Sequence, residues 1–314
     1  MYIIGHGWVL NMKMPNLKDP NDWLYAACSM VTAFLILVTA VVSLGYLIIN
    51  APSEWHLLDD GKGEVGSGMT VFCAIVYIAC LALVIVDFVR RMKGCPREDV
   101  PKRYMHTSLG HTAVLFSIIA AVSITIVVLI DMLGLEITEN FLDEMTNYEM
   151  VAGMLTAGPT EELIFRLGLI GLPMLLICAV MKRFSLKDCM GGFGMSWTAF
   201  ALLVISAFLF GLAHLDGWSA MKIFDTFASG MFFGYIYIQH GIHVTIVAHS
   251  TFDLMASFEV FAGDLGMIPM LIALVMGYVL LIRAFVRIRE YVPRENIHEP
   301  FDGTLFDMWD REDL

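Results

Sequence analysis

The chain has 314 residues, 58% hydrophobic and 16% charged, with a net charge of −12. Soluble domains carry roughly 45–50% apolar and about 25% charged residues, so a water-soluble globular enzyme is excluded as the plain reading. Most acids lie in loops and the tail, and no basic patch suggests a nucleic-acid partner.

With a mean hydropathy of +0.73, the chain breaks into apolar runs of about 17–25 residues, the length that crosses a bilayer as a helix. The expected fold is an all-α polytopic transmembrane bundle of about eight spans with an intramembrane polar pocket. The spans are placed at 24–49, 69–89, 108–131, 160–182, 196–213, 226–240, 242–261 and 267–286. Three parts follow: spans one to three with their loops (1–148), a core of spans four to seven (149–262), and the last span with a charged tail (263–314).

The stretch 149–157 is apolar enough to extend the fourth span backwards. Pro159 then either kinks that helix or opens a new one at its first position, where the missing N–H does no harm. The sixth span ends at Gln239-His240-Gly241, so the sixth and seventh read as a tight hairpin. Gly230 and Gly234 form a GxxxG that permits close helix approach, and His240 and His243 read as interfacial. Of six cysteines, Cys28, Cys73, Cys80 and Cys178 lie in apolar runs and behave as small hydrophobes. Neither a disulfide nor a zinc–thiolate site is expected. No cleavable-signal pattern stands at the start, and the tail 287–314 reads as a surface or disordered segment.

Loop charges orient the spans. Loops 90–107 and 182–195 and the segment after the last span carry Lys and Arg, whereas 132–150 has five acids and neither base. The positive-inside rule puts the basic loops in the cytoplasm and the acidic loop outside. Eight spans leave both termini cytoplasmic, in the cell membrane.

Three polar clusters interrupt the spans, and ionisable groups in a bilayer are functional candidates by default. The first is Glu161-Glu162-x-x-x-Arg166. Glu162 and Arg166 stand i and i+4 on one helical face, ordered for an ion pair. Glu161 is turned about 100° away from them. Interfacial glutamates capping a helix are the plain alternative. The second is Phe210-x-x-x-His214 at the end of the fifth span. The third is His249-x-x-x-Asp253 inside the seventh, with both side chains on one side. A structural His–Asp hydrogen bond is the plain reading there.

By the span directions, Glu161 and His214 lie at similar depth on one side, and His249 and Asp253 at mid-depth. A free carboxylate, two histidines and an acid converging on a water-accessible pocket suit hydrolysis. The carboxylate acts as general base on water, a histidine shares the proton, and the remaining pair stabilises an oxyanion. The same four, Glu161, His214, His249 and Asp253, could instead hold a divalent metal such as Zn that activates the water.

EExxxR, FxxxH and HxxxN/D on separate apolar helices, in that order, resemble the CPBP family of intramembrane proteases. That family includes CAAX prenyl endopeptidases and bacteriocin-processing or self-immunity proteins. The resemblance covers roughly 150–260. It implies that Glu161 activates the water, that His214 assists it, and that His249 and Asp253 form the oxyanion-side pair. Glu162 and Arg166 would brace the site, with Phe210 in support. The implied partners are membrane lipids and a peptide or prenylated-peptide substrate. The family commonly has asparagine where Asp253 stands. An ionised carboxylate cannot donate to an oxyanion, so Asp253 is protonated, orients His249, or binds a metal.

The charge pattern opens the site outward. This suits an exported or membrane peptide better than a cytoplasmic prenylated chain, unless one upstream span is miscounted. Readings of other classes are a non-catalytic scaffold or self-immunity protein of the same fold, and an ion-coupled transporter. The visible absence of repeats weighs against the transporter.

Overall fold

The computed structural model describes residues 23–51, 67–135, 137, 145–180, 189–259 and 263–288. The acids predicted between 136 and 144, the bases 182–187 and the tail beyond 288 lie outside these. Among the described residues there is no β-sheet.

The first half forms helices α1 (Trp23–Ile49), α2 (Ser67–Met92), a short α3 (Val100–Met105) and α4 (Ser108–Met132). Then come α5 (Asn147–Glu161) and α6 (Leu172–Val180), joined without a break by a π-helical stretch, Glu162–Gly171. α7 (Trp197–Ala213), α8 (Lys222–His240), α9 (Ile242–Ala256) and α10 (Ile268–Ile288) complete the bundle. Five helical stretches are long and apolar enough to cross a membrane: Trp23–Ile49, Gly68–Met92, Ser108–Met132, Asn147–Val180 and Gly263–Phe285. Trp197–Ala213 is a shorter apolar helix. The chain is a multi-pass helical membrane bundle.

Three span limits shift. The fourth begins at Asn147 rather than 160, in line with the backward extension over 149–157, because Thr146 and Glu149 form a reciprocal capping box that starts the helix there. Pro159 therefore lies inside a 34-residue helix, Asn147–Val180. The sixth starts at Lys222, and the seventh ends at Ala256. The hairpin between α8 and α9 turns on Gly241, whose φ of 91° is left-handed and whose Cβ would lie 2.9 Å from the Met190 carbonyl oxygen.

The core sits where α4, α5, α8 and α9 meet. α4 packs against α1, α8 and α10, and α9 against α2, α5 and α8. In a bilayer, lipid tails compete equally for apolar surface, so close contact and buried hydrogen bonds carry more of the packing. Thr32 bonds Ser117 across α1 and α4 at 2.6 Å, and Tyr77 bonds Thr251 across α2 and α9 at 2.8 Å. The second contact holds α9 from behind, two residues from His249. Gly230 and Gly234 do serve close packing: a Cβ at either would press on Ala207 and Phe210, or on Leu203, of α7. At the other end of α8, His240 pairs with His111 of α4, N to N at 2.7 Å.

Candidate active site

Pro159 has no N–H to donate, and the helical ladder changes to i→i+5 bonding three residues later, at Glu162. Glu162, Arg166 and Ile170, spaced four apart along the π stretch, are all buried. Just before the proline, a Cβ on Gly158 would come within 2.0 Å of Ser250 Oγ and 2.8 Å of the Ser250 backbone nitrogen. The two backbones are thus in contact, and this contact sets the two glutamates beside the next residue back on α9, His249.

Glu162 and Arg166 are both fully buried, with Arg166 Nε 3.2 Å from Glu162 Oε2. This is an ion pair rather than an aligned hydrogen bond, since neither atom has a hydrogen-bond partner among the described residues. The guanidinium also lies over the rings of Phe210, at 4.7 Å, and Phe233, at 5.9 Å. The brace expected between Glu162 and Arg166 is present and reaches further. His249 Nδ1 donates to Glu162 Oε1 at 2.7 Å. Arg166, Glu162 and His249 form one continuous chain of contacts.

That bond fixes the imidazole so that Nε2 faces away from Glu162. Around Nε2 lie Asp253 Oδ2 at 3.4 Å and Glu161 Oε2 at 3.7 Å. The i, i+4 pairing of His249 with Asp253 is as expected, and Glu161 does point away from Arg166. It does not lack a partner, however, because it shares His249 with Asp253. The His249 ring stacks on Phe233 with centroids 4.4 Å apart and planes inclined by 18°. It meets Phe210 edge-on.

His214 sits at the C-terminal end of α7. Its Nδ1 is 2.8 Å from the Phe210 carbonyl oxygen, which can only accept, so Nδ1 carries the hydrogen and neutral His214 presents a bare Nε2. Glu161 and His214 line one cleft of about 210 Å³, together with Phe165, Ala213, Gly217 and Trp218. His249 and Asp253 are not among its lining residues. His249 lies behind Glu161, 4% exposed. The structure therefore joins Glu161 to His214 through the cleft, and Glu161 to His249 and Asp253 through the interior.

Among the described residues, no group of three or more His, Cys, Asp or Glu is placed to hold a metal ion. Of the four residues that could hold a divalent metal, Glu161 and His214 face the cleft, and His249 Nε2 lies 3.4 Å from Asp253 and 3.7 Å from Glu161. Each histidine Nδ1 is bound to an acceptor, which leaves Nε2 as the ring atom facing the other groups.

Sequence reasoning missed Phe233, the platform for His249, and the Gly158–Ser250 contact. Phe233 lies within the GxxxG run, and nothing in the sequence separates it from its neighbour Phe232. It also missed Trp218 and Phe165, which wall the cleft.

The chain is thus a membrane helical bundle with carboxylates and histidines gathered inside it. Residues 144–255 match the family model described as Type II CAAX prenyl endopeptidase Rce1-like, which supports membership of the CPBP family. The matched segment contains all seven motif residues, from Glu161 to Asp253. No curated protein and no solved structure matched the chain.

Proposed function

We propose that the protein is an intramembrane endopeptidase that hydrolyses a peptide bond in a lipid-associated or membrane substrate through a Glu161-activated water. The observation that carries this reading is the position of Glu161. One side of its carboxylate opens on the cleft shared with His214, and Oε2 lies 3.7 Å from His249 Nε2. A base must meet both the water and the charge that develops on the attacked carbonyl.

In this mechanism Glu161 takes a proton from water as the oxygen attacks the carbonyl carbon. His249, held by Glu162 and Arg166, donates from Nε2 to the resulting oxyanion. Asp253, 3.4 Å from Nε2, orients His249, the role this reading gives it where the family commonly has asparagine. His214 passes the proton to the leaving nitrogen, the C–N bond breaks, and an acid and an amine depart. Lipid contact is through the apolar helical faces, and in this reading the protein lies in the cell membrane with both termini on the cytoplasmic side, as the positive-inside rule suggests.

The test is cleavage of a prenylated peptide and of a peptide library by the detergent-purified protein, wild type against Glu161→Gln. Cleavage by the wild type alone is the expected result. Equal cleavage by both, or none by either, overturns the reading.

A further inference from the structure

The cleft end of the bundle is, among the described residues, poor in positive charge. Among the described residues, the other lysines and arginines lie in the link 90–103, in the last turns of α10, or, as Arg166, fully buried. The link follows the end of α2 that Asp87 ties to Ser108, near the His111–His240 pair. About 27 Å of helix α8 separates His240 from its first residue, Lys222. Lys222 is thus the one accessible Lys or Arg described at the cleft end, with a 20% exposed side chain.

Its ammonium is held in place from two sides. Nζ is 2.9 Å from Asp225 Oδ2 and 4.4 Å from the centroid of Trp218, a wall of the cleft. Asp225 is itself 5% exposed and accepts a bond from Ser123 on its other oxygen, so it is fixed. Trp218, under the ammonium, lines the same cleft as Glu161 and His214. An ammonium has three donors, and Asp225 engages one. A lysine needed only to neutralise Asp225 would not have to stand over a cleft wall.

We infer that Lys222 is a specificity-determining residue that binds a carboxylate of the peptide substrate, and so sets the distance of the cut from that carboxylate. The inference rests on the endopeptidase reading above. Glu161 on the cleft wall repels an anionic chain segment, and Lys222, beside Trp218, is the described cation placed to offset that repulsion. The carboxylate is either the free C-terminus or an acidic side chain near the cut. Both present the same chemistry to an ammonium, and both are carried by the substrate rather than by the lipid.

The experiment compares three otherwise identical prenylated peptides with the full-length protein in detergent: a free C-terminal acid, its amide, and an amide with one added acidic side chain. Wild type is expected to favour a carboxylate-bearing peptide over the plain amide roughly tenfold in kcat/KM, mainly through KM. The two acid-bearing peptides identify the source. Lys222→Met should abolish the preference, and Lys222→Arg, which keeps the charge and guards against misfolding of the first variant, should retain it. Equal cleavage of all three peptides by wild type overturns the inference and leaves the endopeptidase reading standing, as does a preference that survives in Lys222→Met. A wild type that cleaves no peptide overturns both.

Discussion

His249 donates from Nδ1 to Glu162 at 2.7 Å, so the glutamate that balances Arg166 also aims the histidine. Glu162 is therefore structural and functional at once. Breaking a buried ion pair from one side leaves a charge uncompensated and costs about 3–5 kcal/mol. Glu162→Gln is expected to lose stability on that scale, read as a clear fall in the thermal midpoint of the detergent-purified protein. An unchanged midpoint would mean that Arg166 finds another anion.

Glu161 predicts the opposite profile. Its side chain is 27% exposed and shares His249 with a second carboxylate. Removing its charge breaks no hydrogen bond among the described residues, because Oε2 has no such partner there. Glu161→Gln should unfold at the wild-type temperature or slightly above while losing peptidase activity by a factor of about 10²–10⁴, the usual contribution of a positioned base. The contrast with Glu162→Gln, measured on the same preparations, separates the base from the brace.

Gly158 offers a steric test. Its missing Cβ would meet Ser250 Oγ at 2.0 Å and Ser250 Cα at 2.9 Å. Gly158→Ala must push α5 off α9, at a cost of about 1–3 kcal/mol, and should lower activity by lengthening the Glu162–His249 bond. Ser250→Ala added to it relieves the hydroxyl clash but not the backbone one. The double variant should recover only part of the loss, and full recovery would show that the backbones can separate freely.

Asp253 stands 3.4 Å from His249 Nε2. Asparagine places an acceptor oxygen at the same reach. Asp253→Asn should keep more than about a tenth of the activity, whereas Asp253→Ala, which leaves Nε2 without that neighbour, should fall about a hundredfold. Steady-state kinetics on one peptide substrate decides it. An inactive Asp253→Asn would assign the aspartate a proton-carrying role instead.

The parts of the site that follow from position within one helix were legible in the sequence. Glu162 with Arg166 and His249 with Asp253 are i, i+4 pairs, and helical geometry alone brings each together. What joins the pairs was not legible. The bond from His249 to Glu162 spans 87 residues, and the stacking of Phe233 on His249 depends on how α8 and α9 fold back on Gly241. Such contacts leave no periodic trace in the chain. The early start of the fourth helix is encoded in Thr146 and Glu149, whereas Pro159 by itself allows either a kinked long helix or a fresh start.

The order in which the charges find their partners has a consequence for biogenesis. Arg166 and Glu162 lie on one helix, so they can neutralise each other as soon as that helix forms. A nascent chain can thus hand this segment to the bilayer with its arginine already paired, avoiding much of the insertion penalty of a lone arginine. His249 arrives only when α9 has been synthesised, and it then docks on a glutamate already in place. The site is assembled from a half that is safe to insert alone and a half that completes it late.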